Sequence, residues 1–134
     1  MYRSPLLRLL SPLTLLPMAS HCLAETWVVS DTAHPVEVPA GIRLIQLDRL
    51  DQLEVSLFEN LPKDPAQAQE AFAQIMTAES ATAISQAHQD ILDAWALRVD
   101  KIPAVIVDQQ YVVYGDPDLE RALATIDQYR MAQR

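Results

Sequence analysis

The stretch Lys101-Ile102-Pro103-Ala104-Val105-Ile106-Val107-Asp108 constrains this chain more than any other. Residues 104–107 are all apolar and mostly β-branched, the pattern of a short strand buried on both faces. Tyr111-Val112-Val113-Tyr114-Gly115 forms a second such run after Gln109-Gln110. The gap is too short for a crossover, so the two runs pair as an antiparallel hairpin. Two-residue hairpin loops favour Asn-Gly or a similar pair, so Gln-Gln predicts a bulged or slightly longer loop. A strand covered on both faces needs helices above and below the sheet.

The rest of the chain supplies those elements. Trp27-Val28-Val29-Ser30-Asp31 reads as a first strand. A loop over residues 32–41 contains Pro35 and Pro39. Ile42-Arg43-Leu44-Ile45-Gln46-Leu47 is a second strand, with Ile42, Leu44 and Leu47 expected to be buried. Asp48 is the expected cap of a helix carrying Leu50, Leu53, Leu57, Phe58 and Leu61 at helical spacing. Pro62 stops it. Asp64-Pro65-Ala66-Gln67 starts another helix, with Ala68, Ala71, Phe72 and Ile75 on its apolar side. A break is expected over residues 77–80. A third helix then runs to about Leu97, with Ile84, Ala87, Ile91, Leu92 and Trp95 on one face. Asp116 is the expected cap of a last helix, with Pro117 in its first turn and Leu119, Leu123 and Ile126 towards the sheet.

The chain has 134 residues, room for one domain. Residues 1–24 read as a signal peptide. Arg3 and Arg8 precede an apolar stretch over residues 9–19, and Cys22-Leu23-Ala24 places cleavage after Ala24. The stretch is shorter than the roughly 20 residues a membrane span needs. A lipoprotein would modify Cys22, but His21 fits poorly before it. The domain is therefore residues 25–134, expected in the periplasm without stable membrane insertion. It carries 18 acidic and 8 basic side chains, net −10. That balance argues against nucleic acid and anionic lipid as partners. Cys22 is the sole cysteine and leaves with the signal, so no disulfide framework is available.

Ile102-Pro103, followed by a strand pair and Gly115, resembles the thioredoxin-like superfamily. There a hydrophobic or hydroxyl residue precedes a cis-proline at a strand start. The resemblance implies an α/β fold with a four-stranded mixed sheet, a C-terminal β-hairpin and flanking helices. The residues alone equally allow a trans proline opening a strand, where no ladder donor is needed. A closer resemblance rests on Val28-Val29-Ser30-Asp31 with His34-Pro35, on Leu61-Pro62-Lys63-Asp64-Pro65, and on residues 101–108 and 111–115. These look like a family of secreted integrating-conjugative-element proteins that accompanies type IV secretion genes and is similar to thioredoxin-like pilus-assembly factors. In this pattern a glycine is expected just before Lys-Ile-Pro, where Arg98 stands, so a differently shaped helix exit is expected.

This resemblance implies a non-catalytic periplasmic assembly or adaptor protein of a conjugative transfer apparatus, with other conjugation or secretion proteins as partners. By analogy, Ile102, Pro103, His34 and Pro35 would form a peptide-docking groove that works by β-augmentation. The superfamily's CxxC is missing from the loop after Asp31. That loop is slightly short for a normal crossover. Either it crosses in extended form between parallel strands, as the resemblance favours, or the first two strands are antiparallel.

Enzyme signatures are scarce. There is no Gly-x-Ser-x-Gly, no phosphate loop and no Cys/His pair. His34 has no second histidine at ligand spacing, so neither metal nor cofactor is expected. The alternative function is a thiol-disulfide exchange or chaperone-like factor, the exchange requiring retained Cys22. A structural subunit recruited through its acidic surface is a third possibility. Trp95 and Phe72 read as core, and His88 as a surface residue. Tyr111 and Tyr114 fall on opposite strand faces, so one is available to an interface, although for either one packing under the last helix with its hydroxyl at the rim is the simpler reading.

Overall fold

The computed structural model describes residues 25–134. The segment expected to be a signal peptide, with Cys22, lies outside the described residues. The elements are β1 (Thr26–Ser30), β2 (Arg43–Gln46), α1 (Arg49–Phe58), α2 (Pro65–Ile75), α3 (Ala78–Ala96), β3 (Ala104–Val107), β4 (Tyr111–Tyr114) and α4 (Leu119–Ala132). The strands form one four-stranded sheet in the order β2-β1-β3-β4. β1 is parallel to β2 and antiparallel to β3, and β3 is antiparallel to β4. This is the thioredoxin-like arrangement, a mixed sheet ending in a β-hairpin. Residues 32–42 cross between the parallel strands without forming a helix.

Alternation along the strands divides the core in two. Trp27, Val29, Ile45, Ala104 and Ile106 pack on one face against Ala94 of α3. Val28 and Val105 pack on the other against Leu119 and Ala122 of α4. Every residue of β3 is buried, as its unbroken apolar run requires. Val36, Val38 and Ile42 also pack on the second cluster. The extended crossing thus contributes apolar cover where a crossover helix would otherwise sit.

Five expectations are corrected. In β2 it is Ile45 that is fully buried, while Leu44 is 37% exposed. The register sets Ile45 beside Val29, under α3, and β2 is an edge strand whose other face is poorly covered at Leu44. On α3 the buried residues are Ala87 and Ala94, whereas Leu92 is 57% and Trp95 80% exposed. The helix turns a line of alanines to the sheet, about 80° round from the arc of large side chains. Small residues allow close approach, and Trp95 falls outside the contact. Phe72 is 45% exposed, stacked on Phe58 with ring centroids 5.7 Å apart. Lastly, Asp48 makes no capping bond to α1, and the cap of α4 is Asp118, which accepts from the Arg121 N–H at 3.0 Å. Asp64 and Pro65 start α2 as expected.

The exit of α3 is built in left-handed backbone. Arg98 has φ 55°, its N–H donates to the Trp95 carbonyl, and the Val99 N–H reaches back to Ala94 at 3.1 Å. This is a Schellman closure, with Val99 packed on the same cluster as Ala94. The hairpin uses left-handed backbone too, at Asp108 and Gln109, both φ 53°. Gln110 completes a three-residue loop.

Candidate functional site

β1 and β2 run parallel, so both end at the same edge of the sheet, where ligands of open α/β sheets commonly bind. The loop leaving β1 is anchored there at two points. The buried Ser30 hydroxyl donates to the His34 carbonyl. Asp48, just after β2, gathers the Thr32 hydroxyl, the Thr32 N–H at 3.1 Å and the Gln52 amide at 2.8 Å on one carboxylate oxygen. These donors favour the ionised form, the Thr32 hydroxyl most, and hold Asp48 below the usual carboxylate range. Its other oxygen is buried without a partner among the described residues. Between the anchors the chain winds tightly. The His34 N–H donates to the Asp31 carboxylate at 2.8 Å, and the imidazole Nδ1 lies 2.7 Å from the same oxygen.

The second part of the site is the step before β3. The Ile102–Pro103 peptide bond is cis, where the sequence left cis and trans open. Val29 pairs with Ala104. Continuing that register sets Pro103 beside Ser30 and Ile102 beside Asp31. The Pro103 carbonyl accepts from the Gly115 N–H at 2.8 Å. β1, however, stops at Ser30, and the Asp31 carbonyl accepts from His34 at 3.2 Å instead. Among the described residues the Ile102 N–H and C=O therefore make no backbone hydrogen bond. The Ile102 side chain is half-buried against the first core cluster.

The four expected residues thus sit on two segments at one end of the sheet. His34 and Pro35 are exposed, Ile102 is half-buried and Pro103 is buried. The link between the segments is Ser30, bonded to the His34 carbonyl and next to Pro103 in register. Ser30, His34 and Asp31 invite a reading as a hydrolytic triad, which the geometry contradicts. Ser30 donates to the main chain of His34 and not to its ring, so no base activates the hydroxyl. Among the described residues no group of three or more His, Cys, Asp or Glu side chains is placed to hold a metal.

Ser30 and Asp48 were not anticipated as site residues. A signal for both existed. A polar residue closing an apolar strand marks Ser30, and parallel pairing brings the residues just after β1 and β2 to one level.

A thioredoxin-type sheet with an anchored, cysteine-free loop after β1 and an open backbone step before β3 defines a thioredoxin-like domain without a redox dithiol. The chain belongs to the protein family of unknown function DUF1525, which matches residues 23–132. No curated protein and no solved structure matches it.

Proposed function

We propose that this chain is a non-catalytic periplasmic component of a conjugative transfer apparatus, an assembly or adaptor protein that holds an extended segment of another apparatus protein. The observation carrying the docking role is the unpaired N–H and C=O of Ile102 beside the anchored loop at His34 and Pro35. Unpaired backbone groups at the start of a strand, beyond the point where its neighbour β1 stops, can pair with an added extended segment, and main-chain hydrogen bonds then supply affinity. Thiol exchange requires a thiolate, and residues 25–134 contain no cysteine. The placement in conjugation rests on the resemblance of residues 101–115 and their companion motifs to secreted conjugative-element proteins.

The test is transfer frequency from donor cells lacking the gene, complemented by variants. Wild type and Cys22→Ser restore transfer, while replacing His34 and Pro35 with glycine lowers it although the protein accumulates normally. Unchanged transfer in the deletion strain overturns the assignment to conjugation. Loss of transfer in Cys22→Ser overturns the non-redox reading.

A further inference from the structure

The second face of the sheet is only partly roofed. A helix is about 10–12 Å across and strands lie about 4.8 Å apart, so one helix spans about two strands. α4 packs on β3 and β4. Towards β1 and β2 that face is covered instead by the extended crossing, through Val36, Val38 and Ile42. Between the crossing and the first turn of α4 opens a cleft of about 640 Å³.

Pro35, Pro39 and Pro117 line it with rigid rings, and Val38 and Leu119 join it to the core cluster. Glu37, Asp118 and Glu120 supply all the charge on its lining. Arg121, next to Glu120 in the chain, is held by Asp116 at 2.5 Å and lies 3.8 Å from Asp118. The cleft therefore presents a stiff apolar surface rimmed by carboxylates, on a domain already strongly acidic. Proline walls lose little freedom when something binds, and a field of one sign draws in the opposite charge.

We propose that this cleft holds a short extended cationic segment of the partner polypeptide, with aliphatic side chains on the proline and leucine surface and Lys or Arg against the rim. The inference rests on the docking reading at Ile102, shares Pro35 with it, and names the chemistry of what docks.

The probe is the pentapeptide Lys-Val-Lys-Val-Lys, titrated into the 15N-labelled full chain, with Glu-Val-Glu-Val-Glu as its anionic counterpart. The cationic peptide shifts the amides of Glu37, Val38, Leu119 and Glu120, and the anionic peptide does not. Glu37→Lys and Glu120→Lys each weaken binding about fivefold, while Glu79→Lys, exposed in the first turn of α3, changes it less than twofold. Equal weakening by Glu79→Lys means attraction to net charge alone and overturns the cleft. Shifts at His34 and Ile102 without any at Glu37 to Val38 or at Leu119 to Glu120 overturn the cleft and leave the docking reading standing. Shifts in the cleft without any at Ile102 support the cleft and count against that reading. No shifts anywhere at millimolar peptide overturn both.

Discussion

Arg98 holds a backbone conformation that suits glycine. Its φ of 55° crowds the Cβ against the following carbonyl, at about 1–2 kcal/mol for an ordinary residue. The Schellman bonds from Arg98 and Val99 and the packing of Val99 keep it there. Arg98→Gly is expected to raise stability by about 1 kcal/mol, after the greater freedom glycine gives the unfolded chain is set against the relief, seen as a higher urea midpoint at unchanged slope. Arg98 in place of the expected glycine argues for a differently shaped helix exit, yet the turn keeps the left-handed closure that glycine would adopt. The acids were harder to read. Asp48 and Asp116 look like caps locally, yet Asp48 is taken up by Thr32 across 16 residues of sequence and Asp116 by Arg121. The Thr32 donor, distant in sequence, leaves no local signature at Asp48.

Those acids set an acid limit. Asp48 is held low chiefly by the Thr32 hydroxyl, Asp93 by the Gln89 amide and then Arg43, and Asp116 by Arg121. A carboxylate with a lowered folded pKa stabilises the fold above its unfolded value of about 3.9 and loses that contribution as pH falls through the folded value. Stability should therefore hold down to about pH 5 and decline below about pH 4. The triple variant Asp48→Asn, Asp93→Asn, Asp116→Asn should show a shallower decline of urea midpoint with pH. An identical slope would mean that these pairs do not govern acid unfolding.

The elements are unequally held. β1 and β3 are almost wholly buried, whereas neither α1 nor α2 contains a fully buried residue. α1 packs on α3, and the Phe58–Phe72 stack joins α2 to α1. Local opening follows such differences in burial. Amides of α2 are expected to exchange fastest, those of α1 next, and those of β1 and β3 only on global unfolding. Protection in α2 equal to that in β3 would contradict this order. α3 is anchored differently, since Arg43 of β2 sits 4.5 Å over the Trp27 ring and reaches Asp90 at 2.8 Å and Asp93 at 2.5 Å. The hairpin and the restart at Asp64 were legible because turn length and capping are local. Which face of α3 meets the sheet was not. Periodicity weights large apolar residues, while the close approach runs along Ala87 and Ala94.

At the scale of the whole molecule, the thioredoxin-like sheet places an open backbone step, an anchored histidine–proline loop and an acid-rimmed cleft around one end of β1. The resemblance had pointed to Ile102, Pro103, His34 and Pro35. It did not indicate Ser30 as their link, because that depends on the β1–β3 register, nor the cleft, which exists because residues 32–42 cross without a helix. If this end of the sheet is where another polypeptide is held, side chains there must touch it in the cell. A photo-crosslinking p-benzoylphenylalanine placed singly at His34, at Lys101 or at Gln86, all exposed, measures that contact in cells carrying the proposed apparatus. The expected result is one discrete adduct of the same partner from positions 34 and 101 and none from 86. Adducts from position 86 alone, or equal adducts from all three, would contradict docking at this end of the sheet.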